Sequence, residues 1–361
     1  MRRERAYIIA EAGVNHNGSL RLAKRLVDVA KYAGADAVKF QSFHAEEIAT
    51  ANVPKANYQS KNLSGGCGQL EMLKKLELSE AKQRALFFYC RKKKIEFLST
   101  PFDLKSLAFL IKLGVKRLKI SSGELTNGPL LLAAARSGLP LILSTGMSDL
   151  AEIRDALDVI AFGYLRTGNA RPPHSLKMRR LARTTCAKLK LAKNVTLLQC
   201  TSEYPTPMED INLRAMDALR EKFGVSAGLS DHSTGIAVPI AAAARGARII
   251  EKHFTLDRNS PGPDHQASLE PDELKLMVKA IREIERALGD GHKRPARSES
   301  KNMAVVRRSI VAARTIAAGE EFSELNLTVK RAGKGISPML IWSFYGKRAS
   351  RCFSKDERVT L

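Results

Sequence analysis

What this sequence has little of narrows its function first. Aromatic residues make up 6% of its 361 positions, with a single tryptophan. Acidic residues are also scarce, 37 against 60 Lys+Arg, which leaves a formal charge of +23. Such an excess suits nucleic acid, an anionic membrane surface or acidic metabolites. A nucleic-acid reader would interleave its basic residues with stacking aromatics, so the low aromatic content and the lack of a recognition element argue against that partner. No uncharged apolar stretch reaches 18 residues, and no membrane span is expected. The first residues lack the order of a signal peptide, since Glu4 and Glu11 bracket only a short apolar run. Five cysteines, Cys67, Cys90, Cys186, Cys200 and Cys352, are odd in number and far apart. They exclude a disulfide scaffold and paired redox or metal motifs, and imply reduced thiols in a cytoplasmic protein. GxxxxGK[ST] is absent too, so no nucleotide P-loop is implied.

What is present is ample core material, 44% hydrophobic, arranged with two alternating periods. Short β-rich runs are expected at 7–13, 37–41, 96–102, 117–123, 140–146, 195–200, 226–232 and 248–254. Several are nearly continuous apolar runs, as parallel strands covered on both faces should be. Between them the helical period recurs at 19–33, 70–93, 103–113, 127–137, 148–160, 209–223 and 235–245, and a last helix runs from Pro271 toward Gly289. Eight strands alternating with helices within about 290 residues is the count for a (β/α)8 barrel, an α/β fold; a doubly wound open sheet is the competitor. The pattern divides the chain into a barrel over 1–288, a linker over 289–303 and a small, mostly β module over 304–361 with Gly turns.

Polar residues stand in phase at the predicted strand ends, where a barrel carries its chemistry. They include Glu11, Lys39, Thr100, Lys119, Ser122, Glu124, Ser144, Ser202, Ser230 and His232, with Glu251 and His253 on the last strand. One buried polar end usually satisfies a backbone group, but seven or eight in phase imply a shared site. Lys39 and Lys119 sit inside strand patterns, and a buried ammonium there needs an anionic mate. That mate is either an internal carboxylate such as Glu11 or Glu124, or a bound phosphate or carboxylate to which Thr100, Ser122, Ser144 and Ser230 donate hydroxyls. His232 and His253 end neighbouring strands and can meet at one divalent ion, Mn²⁺, Mg²⁺, Fe²⁺ or Zn²⁺, acting as a Lewis acid. Hydrogen bonds to Asp231 and Glu251 are the alternative. Asp264, in a Pro-Gly-Pro loop, can hold a carboxylate over the barrel mouth, and Tyr204 can supply a rim hydroxyl. Glu11 and Glu124 are candidates for acid/base work; His16 and His265 have weaker positions, as a helix cap and a turn residue.

The ordered segments IIAEAGVNHNGS, FLSTPFD, LKISSGE, ILSTGM, LLQCTSEYPTP, GLSDHS and EKHFTLD…PGPDH resemble the sialic acid synthase family along almost the whole chain. The C-terminal SIVAA…AAGE…LTVKRAGKGISP is similar to that family's antifreeze-like SAF domain. The resemblance implies a (β/α)8 TIM barrel followed by that small domain, and an enzyme that condenses phosphoenolpyruvate with an N-acetylmannosamine-type sugar. The product would be a nine-carbon 2-keto acid plus phosphate; legionaminate and pseudaminate synthases, acting on a diacetamido-trideoxyhexose, are the variants of the same chemistry. It implies phosphoenolpyruvate binding by Lys39, Thr100, Lys119, Ser122, Ser144, Ser202 and Ser230, with Ser202 standing where the family often has Asn. It places a divalent metal on His232 and His253, Mn²⁺ first with Mg²⁺ or Co²⁺ as substitutes, and no organic cofactor. Glu11, Glu124 and Asp264 would surround the reacting atoms, and Tyr204 and Asp264 would face the sugar. Arg331 would reach the acceptor from the small domain of a partner in a domain-swapped homodimer. A barrel aldolase would not explain the small domain, and a non-catalytic carbohydrate binder would leave Lys39 and Lys119 unexplained. Residues 162–195, with nine Lys+Arg and no acid, read as a solvated excursion before the sixth strand.

Overall fold

In the computed structural model, which describes residues 5–55, 68–166 and 175–360, the chain forms two compact units, Met1–Gly289 and Asp290–Leu361. The first unit is built on eight parallel strands: β1 (Tyr7–Gly13), β2 (Ala37–Ser42), β3 (Glu96–Pro101), β4 (Leu118–Ile120), β5 (Leu141–Ser144), β6 (Val195–Cys200), β7 (Ser226–Asp231) and β8 (Ile249–His253). They lie in the order β3-β2-β1-β8-β7-β6-β5-β4, so the β1–β8 ladder joins first strand to last. β3 and β4 are neighbours without a ladder among the described residues, which leaves one seam in a nearly closed (β/α)8 barrel.

The barrel forms because its two strand faces are both apolar at the base. Inward side chains of Ile9, Ala37, Leu98, Ile142, Leu198 and Ile249 make one layer inside the sheet. Their neighbours at odd spacing, such as Ile8, Val38, Phe97, Leu143, Leu197 and Ile250, belong to the larger core on the other face. Helices cover that outer face: Leu20–Ala33 buries Ala23, Leu26, Val27 and Ala30, and Pro271–Ala287 buries Leu274, Met277, Val278 and Ile281.

Local capping chemistry places the helix starts. Ser19 caps the helix Leu20–Ala33, as its position predicts, and Asp149 closes a reciprocal capping box with Glu152. The helical period over 70–93 proves to be two helices, Gln69–Leu76 and Glu80–Lys93, because Ser79 caps a new start and its hydroxyl accepts from the Lys82 N–H. The strand expected over 117–123 ends at Ile120, and a 3-10 turn over Ser122–Glu124 follows. The region before β6 contains helices Ser175–Ala182 and Thr185–Asn194; residues 167–174 of the basic segment lie outside the described residues.

In the second unit, β9 (Ser309–Ala312) pairs antiparallel with β10 (Leu327–Lys330). Single bridges Val311–Arg358, Ile316–Phe353 and Glu321–Arg348 add to this around a core of Ile310, Phe322, Phe344 and Phe353. Residues 297–306, within the stretch read as a linker and just past it, carry a 3-10 turn Arg297–Glu299 and a helix Ser300–Val306. The Glu299 carboxylate accepts the Ala296 N–H and starts that turn despite the absence of an apolar face. Cys90, Cys186, Cys200 and Cys352 are free thiols, and Cys67 lies outside the described residues. No described helix is long and apolar enough to cross a membrane.

The N-cap of the helix Leu104–Leu113 offers a direct test of this scaffold. Asp103 accepts from the Ser106 N–H and hydroxyl, each at 2.7 Å, and from the His44 N–H at 3.0 Å. Burial alone would raise its pKa; these donors outweigh it and hold the carboxyl below its ordinary value. Asp103→Ala is expected to cost roughly 1–2 kcal/mol of unfolding free energy at pH 7. Because the folded pKa is the lower one, the contribution is complete above the unfolded value of about 3.9 and disappears as pH falls through the folded value. Urea unfolding of wild type and variant at pH 7 and pH 3 checks it: the gap should narrow in acid, and a pH-independent gap would refute the assignment.

Candidate active site

Two residues beyond the apolar layer the inward positions turn charged on β1, β2 and β8, at Glu11, Lys39 and Glu251, and polar on β3 and β5, at Thr100 and Ser144, and β4 adds Lys119. Glu11, Lys39, Lys119 and Glu251 are 1%, 3%, 4% and 3% exposed. The Lys39 ammonium lies 3.1 Å from Glu11 Oε2 and 3.4 Å from Glu251 Oε2, and donates to Thr100 Oγ1 at 3.0 Å. Lys119 lies 3.4 Å from Glu251 Oε1, which also accepts the Ser230 hydroxyl at 2.9 Å. Glu251 is therefore the hub, shared by two lysines on β2 and β4. Burial opposes its ionised form, yet Lys119 and Lys39 together drive its pKa down to about 2. Glu11 is pushed up to about 7 by burial, against the pull of Lys39 and with the charge of Glu251 added. Burial also lowers Lys119, only partly countered by Glu251, whereas for Lys39 the Glu11 and Glu251 carboxylates outweigh burial and raise it.

Three elements gather around β1's end. Between Glu11 and Gly13 the register of β1 on β2 shifts, and Gly13 takes φ +52. A Cβ on Gly13 would sit 3.3 Å from His253 Cε1 and 3.4 Å from both Asp264 Oδ2 and Glu11 Oε1. The Pro-Gly-Pro loop thus does bring Asp264 over the strand ends, where burial raises its pKa to about 6. The rings of His232 and His253 stand 5.4 Å apart, and the Tyr204 ring packs over His232 at 4.0 Å with its edge toward His253 at 5.6 Å.

On the other side, Ser122 Oγ accepts the Gly146 N–H at 3.0 Å, and any side chain at Gly146 would collide with the hydroxyls of Ser202 and Ser122. Glycine there lets the β5, β6 and β4 ends converge. Ser144 is buried with its hydroxyl unpartnered, a donor aimed into the barrel without a protein mate. Glu124 stands apart from the lysine cluster: it rides on the 3-10 turn, half-buried, and accepts from Asn127 at 2.7 Å. Of the two internal mates considered for the lysines, the structure therefore selects Glu11 and passes over Glu124 for Glu251. Arg331 lies in the second unit, two residues before Gly333.

The two histidines fit a divalent cation. His232 Nδ1 lies 2.7 Å from Thr201 O, which can only accept, so Nδ1 carries a proton and, in the neutral ring, Nε2 holds the lone pair. His253 Nδ1 is buried with no hydrogen-bond partner and stands 3.9 Å from Asp264 Oδ2. Among the described residues no three His, Cys, Asp or Glu side chains form a ligand group, so water or substrate oxygens would complete the coordination. The alternative, histidines bonded to Asp231 and Glu251, is absent: Asp231 pairs with Lys252 and Glu251 with the lysines. His16 accepts the Gly18 N–H and His265 bonds Thr255 Oγ1, so both serve local structure.

Sequence reasoning undervalued Glu251 and passed over Cys200. Period two marked both: Glu251 precedes His253 by two residues on β8, and Cys200 follows the inward-facing Leu198 by two on β6, so each shares a strand face with that partner. Cys200 Sγ lies 3.9 Å from His232 Nδ1 and takes the Ser122 hydroxyl at 3.6 Å.

A barrel whose mouth combines buried ammoniums, inward hydroxyls and two adjacent imidazoles defines an enzyme that holds a small, strongly anionic substrate. The chain belongs to the NeuB family, whose model matches residues 26–293, and carries a SAF domain over residues 307–361. It is accordingly a phosphoenolpyruvate-dependent condensing transferase of nonulosonic acid synthesis. It is 46% identical over 356 residues to the N,N'-diacetyllegionaminic acid synthase of Campylobacter jejuni, covering 99% of both chains. It is 47% identical over 344 residues to the enzyme of that name from Legionella pneumophila, covering 95% of this chain and 90% of that one. Similarity to N-acetylneuraminate-9-phosphate synthase of Homo sapiens is 34% over 355 residues, 98% of this chain and 91% of that one. Pseudaminic acid synthase of C. jejuni is also 34% identical, over 354 residues, 96% of this chain and 93% of that one. Among solved structures, the N-acetylneuraminic acid synthetase of Leptospira borgpetersenii superposes with TM-score 0.68 at 36% identity, covering 83% of this chain and 91% of that one.

Glu251→Gln removes the hub while keeping its shape, leaving Lys119 without its carboxylate and Lys39 with one. Breaking a buried pair from one side costs about 3–5 kcal/mol. Urea unfolding at pH 7 should show that loss, and a change under about 1 kcal/mol would mean that the cluster is not a closed charge network.

Proposed function

We propose that this enzyme condenses phosphoenolpyruvate with a diacetamido-trideoxyhexose to form an N,N'-diacetyllegionaminate-type nonulosonate and inorganic phosphate. The observation that carries this choice of acceptor is the 46–47% identity to two diacetyllegionaminic acid synthases, against 34% to the neuraminate-phosphate and pseudaminate enzymes. N-acetylmannosamine, the acceptor first suggested by the sialic acid resemblance, becomes the second reading.

In this reading Lys39 and Lys119 hold the carboxylate and phosphate of phosphoenolpyruvate, Thr100, Ser144 and Ser202 donate hydroxyls, and Ser122 and Ser230 turn theirs from Cys200 and Glu251 to the ligand. Ser144, buried and unpartnered, is the hydroxyl most clearly kept for a ligand. Holding the anion in a dry, fixed frame spares the reaction the reorganisation that water would impose. The nucleophilic alkene carbon attacks the aldehyde carbon of the open-chain sugar, and the new C–C bond leaves positive character at C2. Water adds there, and the resulting tetrahedral centre loses phosphate through C–O cleavage, giving the 2-keto acid. His232 and His253 would hold a divalent cation, Mn²⁺ first, which when bound supplies Lewis-acid polarisation of the aldehyde oxygen. Glu11, beside Asp264 and His253 around Gly13, is placed to orient the water or carry a proton; Glu124, outside that group, is the weaker candidate. Tyr204 and Asp264 form the wall toward the sugar. Arg331 reaches the same sugar from a partner subunit, in a domain-swapped homodimer.

Metal-stripped enzyme given Mn²⁺, phosphoenolpyruvate and each acceptor in turn should release phosphate with the diacetamido-trideoxyhexose. Release with N-acetylmannosamine alone would overturn the assignment in favour of neuraminate. Ser144→Ala should raise KM for phosphoenolpyruvate about tenfold while kcat changes little, the signature of a lost ground-state contact; an unchanged KM removes Ser144 from the anion site. Arg331→Ala should raise KM for the sugar by a similar factor, about tenfold, and leave KM for phosphoenolpyruvate alone. Equal acceptor kinetics in wild type and variant would exclude the cross-subunit arginine.

A further inference from the structure

Behind the two histidines, on the opposite face of the same strands, lies an ion pair that the chemistry above does not use. Lys252 is 0% exposed, and its ammonium donates to Asp231 Oδ2 at 2.6 Å and to the Ser233 carbonyl. Asp231 in turn accepts the Ser233 N–H and the Ser233 hydroxyl, both at 3.0 Å. Asp231 and Lys252 are ladder partners on β7 and β8, and the residue after each is a histidine, His232 just past the end of β7 and His253 at the end of β8.

The location is costly. Outward positions of these strands otherwise hold Ala227, Leu229 and Ile250, and those of β1 hold Ile8, Ala10 and Ala12, all in the main apolar core. A hydrophobic pair would pack there without the desolvation that a buried ion pair must overcome, and such replacements are often neutral or stabilising. Stability therefore does not account for the pair. Its geometry does something a hydrophobic pair cannot: it ties the turn Asp231-His232-Ser233 to β8 by directional bonds. His232 is then held from three sides, by the Asp231–Lys252 pair, by its own Nδ1–H to Thr201 O and by the Thr206 N–H on its carbonyl oxygen.

We propose that Lys252, acting through Asp231 and Ser233, is a positioning residue that sets the spacing of His232 and His253 for a divalent cation. This rests on the two-histidine reading above. Partners behind metal ligands fix ligand orientation, and their loss commonly weakens metal affinity 10–100-fold.

The experiment reads Mn²⁺ binding to the metal-stripped full-length protein by titration calorimetry, with circular dichroism and urea unfolding to verify the fold. Lys252→Met leaves Asp231 buried without its cation, so the double variant Lys252→Met/Asp231→Asn, which removes both charges, is the decisive one. Its Mn²⁺ affinity should fall about 10–100-fold with the barrel folded. Asp36→Asn is the control: it breaks the Asp36–Arg282 pair at 2.7 Å at the other end of the strands, and should lower stability while leaving Mn²⁺ affinity at the wild-type value. A folded double variant with wild-type affinity overturns the proposal, as does an equal loss in Asp36→Asn. Should the double variant not fold, Ser233→Ala decides; it deletes one bond to Asp231 without burying a charge and should weaken Mn²⁺ about three- to tenfold, with no weakening overturning the proposal. Wild-type protein that takes up no Mn²⁺ overturns the two-histidine reading itself, which separates the two failures.

Discussion

Two lysine ammoniums buried inside a β-barrel are the constraint to which the rest of the first unit answers. Neither Lys39 nor Lys119 can remain charged there without carboxylates, and Glu11 and Glu251 supply them from β1 and β8, the two strands that close the barrel. That requirement links β1, β2, β4 and β8 across the barrel interior, above a layer of small and branched apolar side chains. Two cations and two carboxylates make the cluster close to neutral, and burial raises the pKa of Glu11, so that it can take up a proton and leave a positive surplus; this is the property the proposed anion site would use.

The charge network explains why the surrounding polar groups are left incompletely satisfied. Ser144 has no protein partner, and His253 Nδ1 has none either, although both are buried. Polar groups in an interior ordinarily find mates, and these two, on the β5 and β8 ends of the barrel mouth, are the ones that the proposed anion and metal sites would engage. Gly13 leaves open the space among His253, Asp264 and Glu11, and Gly146 the space between the Ser122 and Ser202 hydroxyls. The Asp231–Lys252 pair, on the reverse face, provides rigidity of a different kind, directional where the neighbouring core is only close-packed.

The overall charge of +23 is a separate matter. The buried lysines are neutralised in place and contribute little to it. Residues 289–361 hold 15 Lys+Arg and 7 Asp+Glu, a surplus of 8, and the described helices before β6 add further exposed basic side chains. That surplus is an outer field that favours the approach of an anionic substrate, distinct from the site that retains it.

Much was legible in the residues because strand and helix periods are local. The eight strands, the Ser19 cap, the small β unit and the polar strand ends all follow from spacing and from family motifs carried on contiguous segments. What was illegible depended on neighbours distant in sequence. The period over 70–93 could not reveal the break at Ser79, and a strand-like run at 117–123 concealed the turn that takes Glu124 away from Lys119. Glu251 looked like one polar strand residue among several until barrel closure put it between two lysines 212 and 132 residues earlier in the chain. By itself the sequence determined the alternation of elements, the family and the chemical types available at the barrel mouth, since these depend on periodicity and residue identity. Only the tertiary structure decided which carboxylate balances which lysine, which hydroxyl is left free and what braces the histidines, because burial and charge pairing exist only once the strands have met.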